Sequence, residues 1–154
     1  DRYRWSFLTE RLRNQICIHL HLSVVKNNDW MYMNIDSLTE KIIGCAYEVS
    51  NELGSGFLEK VYEKALIVEL SNSGLKVEAQ KEIKVLYKGY DIGNYYPDII
   101  VEDQVIIELK IIKQIERIHL GQVMNYLEAC KLQYGLILNF GNPKVEVKRV
   151  IFSR

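Results

Sequence analysis

Pro97-Asp98-Ile99-Ile100-Val101-Glu102-Asp103-Gln104-Val105-Ile106-Ile107-Glu108-Leu109-Lys110 is the stretch from which the rest of the chain is best read. Two short apolar runs, 98–101 and 105–109, flank Glu102-Asp103-Gln104 and predict a hairpin whose faces are both largely apolar. A strand buried on both sides belongs in the middle of a sheet. With a loop of residues 102–104, Val101 pairs with Val105, Ile100 with Ile106 and Ile99 with Ile107, which sets Asp98 opposite Glu108. Side chains alternate faces along a strand, so Lys110 joins the two carboxylates on one side. Like charges directly opposed at about 5 Å repel unless something positive lies between them. A divalent cation would answer that, with the Lys110 ammonium orienting a water beside it. A two- or four-residue loop would instead send Asp98 and Glu108 to opposite faces. The plainer reading makes Asp98 a strand start and Glu108 and Lys110 a strand end at solvent.

Working outward, Leu38, Ile42, Ile43, Ala46, Tyr47, Val49 and Leu53 recur at helical spacing from Ser37, and Gly54 supplies a stop. Gly56 opens a second helical run over residues 57–72, striped by Leu58, Val61, Tyr62, Ala65, Leu66 and Leu70. Alternation through Leu75, Val77, Ala79, Ile83, Val85 and Tyr87 predicts a strand pair or one long bent strand, stopped by Lys88-Gly89. Beyond the central hairpin, Ile118, Val123, Tyr126, Leu127 and Cys130 predict a helix over 116–131. Strands at 134–140 and 145–152 follow, split by Gly141-Asn142-Pro143. The order is roughly ααβββαββ, an α+β or small layered α/β fold with a mixed sheet and no Gly-x-Gly-x-x-Gly.

The 154 residues, 48% hydrophobic and 26% charged, suit one globular domain, and 20 basic against 20 acidic residues exclude a strong overall positive field. Any nucleic-acid contact must therefore come from a local patch. Cys17, Cys45 and Cys130 lie far apart, which predicts ordinary thiols rather than a disulfide framework or a zinc ribbon. The uncharged stretch 14–25 is too short to span a bilayer and has no small-residue cleavage site after it, so the reading is no membrane segment and a cytoplasmic protein. Residues 1–30 carry a small basic excess, and Met31 and Met33 stand just before the first helical pattern. Residues 1–30 are therefore expected to be an extension and residues 31–154 the domain. Within the extension His19 and His21 would share a face if extended, a metal pair lacking further ligands nearby.

Pro97-Asp98 and, after nine intervening residues, Glu108-Leu109-Lys110 resemble the pattern of the PD-(D/E)XK nuclease superfamily. Gly56-Phe57-Leu58-Glu59-Lys60-Val61-Tyr62, with Leu53-Gly54-Ser55-Gly56 before it and Leu138-Asn139-Phe140-Gly141 after it, resembles the GxxExxY group of that superfamily over roughly residues 34–152. Ser50 and Ser55 stand where that group commonly has His and Pro.

The resemblance implies a restriction-endonuclease-like core and a nuclease hydrolysing phosphodiesters in DNA or RNA. Asp98 and Glu108 would hold Mg²⁺ or Mn²⁺, Lys110 would position the attacking water, and Glu59 would be a further acidic ligand. Gln122 and Tyr126 resemble the Gln-x-x-x-Tyr element of RecB-type nucleases, on the helix that meets the nucleic acid, and their spacing of four places them on one helix face. The competing reading is a catalytically inactive module of the same fold that binds nucleic acid or a recruiting protein partner. The residues also have structural readings. Glu59 suits the first turn of a helix, Gln122 needs hydrogen-bond partners in any case, and Tyr62 and Tyr126 suit a core with a polar tip. His119 reads as a flank residue, and Lys81, Lys84, Lys88, Lys113 and Arg117 as either phosphate contacts or a solvated face.

Overall fold

A computed structural model of the chain describes residues 34–153. The readings of residues 1–30 as an extension, of the His19 and His21 pair, and of Cys17 lie outside the described residues. Asn34 opens the first helix, its Oδ1 accepting the Asp36 backbone N–H at 2.9 Å. Helix α1 (Ile35–Leu53) buries Leu38, Ile42, Cys45, Ala46 and Val49, a stripe at i, i+4 and i+7 spacing. It stops at Gly54, which adopts φ 69° and donates its N–H to the Ser50 carbonyl at 3.0 Å. Helix α2 (Glu59–Asn72) starts two residues later than its apolar pattern suggests, because Gly56, at φ 108°, still belongs to the turn. Tyr47, Val61 and Ile118, which fall on the predicted stripes, are exposed and play no part in the core.

The main sheet has five strands in the order β1-β4-β5-β6-β7: β1 (Val77–Ala79), β4 (Ile99–Val101), β5 (Val105–Lys110), β6 (Tyr134–Asn139) and β7 (Glu146–Ile151). The pairing of β4 with β5 is the expected one, Ile99 with Ile107, Ile100 with Ile106 and Val101 with Val105. Strand β5 is central, antiparallel to β4 and parallel to β6, so the sheet is mixed. The parallel connection runs through α3 (Arg117–Cys130), whose Val123 and Leu127 pack with Ile100, Ile106, Ile137 and Val150. The helix lies so close that a Cβ on Gly135 would stand 2.6 Å from Val123 Cγ1.

The element order differs from ααβββαββ in one region. The alternating stretch 75–87 is two strands in separate sheets. Strand β1 edges the main sheet, and β2 (Ile83–Tyr87) pairs with a further strand, β3 (Tyr90–Tyr95), as a two-stranded ribbon. Periodicity does not announce β3, because its residues are exposed from Tyr90 to Asn94 and include Asp91, Gly93 and Asn94, weak strand formers. Among the described residues the architecture is α+β, three helices with a mixed five-stranded sheet and a two-stranded ribbon, consistent with a restriction-endonuclease-like core.

Candidate active site

The β4–β5 register brings Asp98 and Glu108 to the same face, that of Ile100 and Ile106, over which α3 lies. Asp98 Oδ2 accepts the Leu109 backbone N–H at 2.8 Å, and its Oδ1 accepts from Gln80 Nε2 at 3.1 Å. Glu108 is 3% exposed; its Oε1 accepts from Lys110 Nζ at 2.7 Å, while Oε2 is buried with no hydrogen-bond partner among the described residues. Burial first, and the Asp98 charge second, push the Glu108 carboxyl up to about 7 against the pull of Lys110. Burial also raises Asp98, offset in part by its bonds from Leu109 and Gln80. Burial alone would lower the Lys110 ammonium, but its bond to Glu108 and the surrounding carboxylates raise it. Lys110 therefore stays charged beside a strained carboxylate pair.

The end of β5 is held by a fully buried amide. Asn139 Oδ1 accepts the backbone N–H groups of Ile112 and Gly141, both at 3.0 Å. Its Nδ2 donates to the Ile112 carbonyl at 2.9 Å and to Glu146 Oε2 at 3.0 Å. This clamp aligns the chain just past Lys110. Phe140 follows, donating its N–H to the Lys110 carbonyl at 2.8 Å and stacking on Tyr62 with ring centroids 4.6 Å apart.

Tyr62 is fully buried, and its hydroxyl donates to the Gly54 carbonyl at 2.7 Å. The Gly56 and Tyr62 part of the motif is thus architecture: it ties the inter-helix turn to the end of β6 and fixes where α2 begins. Glu59, in the first turn of α2, is exposed and is raised by burial, then drawn down by Lys110 and raised by Asp98. It therefore stands within electrostatic reach of the pair, at the rim. Gln122 donates its Nε2 to the Tyr126 hydroxyl at 2.9 Å, and burial together with Glu108 and Asp98 raises that hydroxyl. The α3 residues therefore flank the carboxylates, and within the described residues they bond to each other.

Two groups at this site escape a reading of the sequence. Glu63 is buried, accepts Lys60 Nζ at 2.7 Å, and adds negative charge beside Asp98 and Glu59. Gln80 donates to Asp98 and, at 3.4 Å, to Glu63 Oε2 from a backbone with φ 51°. The signal for Glu63 is its spacing of four from Glu59 on one helix face; Gln80 gives none, because only the tertiary fold brings it to Asp98. Conversely, His119 accepts the Glu116 N–H through Nδ1 at 2.9 Å and belongs to the start of α3. Lys81 pairs with Glu78 and Lys84 with Asp91.

No group of three or more His, Cys, Asp or Glu side chains gathers as a ready metal cage among the described residues. Glu59, Asp98 and Glu108 are close enough to interact but are not drawn together into such a set. The donors nonetheless suit a hard divalent cation: a buried carboxylate oxygen without a partner among the described residues, next to a second carboxylate, both destabilised as anions. No helix among the described residues is long and apolar enough to cross a membrane.

Comparison with known proteins gave no match among curated proteins and none among solved structures. The sequence model of one family, described as the PD-(D/E)XK nuclease superfamily, does match, over residues 36–150. That span contains the Asp98, Glu108 and Lys110 constellation and every element from α2 to β6, so the chain belongs to the PD-(D/E)XK nuclease superfamily.

Proposed function

We propose that this protein is a metal-dependent nuclease that hydrolyses phosphodiester bonds of DNA or RNA at Asp98, Glu108 and Lys110. Family membership supports a nuclease-type function, and nucleases of this superfamily generally use divalent metal ions and act on nucleic acid. Glu108 Oε2 carries the reading: a buried carboxylate oxygen without a partner among the described residues, beside Asp98 and Lys110. A group left this way costs stability, and a site that tolerates the cost has a use for the charge.

Asp98 and Glu108 would hold Mg²⁺ or Mn²⁺, with Glu59 as the third carboxylate at the rim. Such an ion supplies an acidified water and offsets charge building on the phosphate. Asp98 is kept in place by the Leu109 amide and Gln80, so its carboxylate presents one orientation. Lys110, charged and held against Glu108, would donate a hydrogen bond to the water that attacks phosphorus in line. That water's proton would pass to solvent as the opposite P–O bond breaks, and the leaving oxygen would take up a proton from solvent. Gln122 and Tyr126 offer an amide and a hydroxyl to the incoming strand from α3. The Gly56, Glu59 and Tyr62 motif supports placing the chain in the GxxExxY group, with residues 31–154 as the catalytic domain and 1–30 outside it.

The test is cleavage of labelled single- and double-stranded DNA and RNA by the full chain in Mg²⁺, Mn²⁺ or EDTA. Asp98→Ala and Lys110→Ala should each lower the rate by about 10³-fold, the scale of removing a main electrostatic group. Unchanged cutting in either folded variant would sink the assignment. Binding without cutting by the wild type would favour the inactive module.

A further inference from the structure

The β2–β3 ribbon has a face that the catalytic reading does not use. Along β2, Ile83, Val85 and Tyr87 share one side, and their partners across the ribbon are Tyr95, Gly93 and Tyr90. At the root of that face Ile83 joins the core under α3, and the Tyr95 ring meets Tyr126 edge-on with centroids 5.3 Å apart. Tyr126 in turn lies within the field of Glu108 and Asp98. At the far end Tyr87 and Tyr90 pair across the tip, 59% and 76% exposed. Between the two ends Gly93 contributes no side chain, and a Cβ there would meet nothing within 4 Å. The face therefore runs from a half-buried root at Ile83, Val85 and Tyr95 to an exposed tip at Tyr87 and Tyr90, past a register shift between Val85 and Leu86, with aromatic rings at both ends and a length of about 13 Å at the usual rise per residue.

We infer that this face is a stacking platform for single-stranded nucleic acid, leading the strand toward Asp98 and Glu108. Its direction toward the carboxylates rests on the nuclease reading; the binding itself does not. The chemistry selects single strands because bases stack on an aromatic ring only when their own faces are free, as they are not inside a duplex. Charge agrees. A duplex-binding surface neutralises many phosphates, whereas the ribbon has Lys84, held by Asp91 at 3.4 Å, and Lys88, whose Nζ lies 5.4 Å from the centre of the Tyr87 ring. The whole chain has no net charge. Beside the ribbon, a cleft of about 380 Å³ against α3 is lined by Lys84, Tyr95, Asn125 and Lys131, with Glu128 the acidic group among them. Two lysines and an amide there suit a sugar–phosphate backbone.

The test is fluorescence anisotropy of the full chain with labelled oligothymidylate, oligouridylate and a DNA duplex, in EDTA so that nothing is cut. The wild type should bind single strands more tightly than duplex. Y87L/Y90L should weaken single-strand binding at least about tenfold, and Y87F/Y90F should bind within about twofold of the wild type, because the ring and not the hydroxyl stacks. Both positions are exposed, so melting temperatures should hold; if the leucine pair lowers them, Tyr90→Leu alone should still lose several-fold. Wild-type preference for duplex, absence of single-strand binding, or leucine variants that bind as well as the wild type would each overturn the proposal. Cleavage in Mg²⁺ is read separately. Tyrosine-dependent binding without cleavage keeps the platform and removes the nuclease reading, and Asp98-dependent cleavage with tyrosine-independent binding does the reverse.

Discussion

Two antiparallel hairpins follow one another along the chain, and the same backbone pattern serves opposite ends. In β4–β5 every residue except Lys110 is buried, whereas β3 is exposed from Tyr90 to Asn94. The buried pair places charge where water cannot screen it, so Glu108 feels burial and Asp98 strongly enough to titrate near 7. In the ribbon, Lys84 and Asp91 form a solvated pair of the kind that contributes little. The turns differ in the same way. Glu102 and Asp103 both adopt φ 53° without glycine, and β1's neighbour Lys76 holds them: its N–H donates to Glu102 Oε1 at 2.7 Å and its Nζ to Asp103 Oδ2 at 2.6 Å. The ribbon turn, Lys88-Gly89 at φ 51° and 85°, has the glycine that an unsupported left-handed turn favours. Burial strains the carboxylate pair, and exposure leaves the ribbon's side chains facing solvent.

The largest effect that separates the two hairpins should come from neutralising Glu108. A carboxyl raised from 4.5 to about 7 binds protons in the folded state that the unfolded state has released. Its stabilising contribution is thus full below pH 4.5 and is lost as pH rises through 7. Glu108→Gln should accordingly raise stability in EDTA at pH 8 by up to about 3 kcal/mol, with the gain shrinking toward pH 4.5. Glu82→Gln, at the exposed root of the ribbon where Glu82 Oε1 accepts from Asn94 and Tyr96, should change stability at pH 8 by less than about 1 kcal/mol. Thermal melts across that range decide it: a Glu108→Gln protein no more stable than the wild type at pH 8 would show that the buried charge is not strained.

Smaller, and specific to the buried hairpin, is the part of Gln80. Its amide reaches Asp98 and Glu63 together, so Gln80→Leu should lower kcat about tenfold, the lower end for a group that orients a ligand. KM should stay close to the wild type. Gln80→Glu keeps the shape but puts a third negative charge against two others, and should be worse than leucine. Equal activity for the two would mean that Gln80 only fills space.

How much of this was legible follows the same division. Burial writes itself into sequence as pattern: the odd loop and the continuous Val and Ile runs suffice for the register that sets Asp98 and Glu108 on one face, and helical stripes for α1 to α3. Exposure writes nothing of the kind, so β3 leaves no periodic signal, and residues 75–87 read as a strand pair or one bent strand where the structure has β1 and β2 in separate sheets. Within the site, groups that interact along one strand could be paired by register. Gln80 meets Asp98 across 18 residues of chain and Glu63 across 17, and no periodicity spans such a join.

The smallest expected effect tests the turns themselves. Gly89 holds φ 85° at the tip, where an alanine Cβ crowds the following carbonyl at a cost of about 1 kcal/mol. The ribbon is a separate sheet whose tip lies beyond its core contact at Ile83, so this cost should appear as local opening rather than global unfolding. Hydrogen exchange at the Tyr87 and Tyr90 amides should therefore quicken about fivefold in Gly89→Ala, while Ile106 and Ile107 amides exchange as before. Faster exchange in β5 as well would mean that the two hairpins unfold as one unit, and the division between a buried, strained hairpin and an independent, exposed one would not hold.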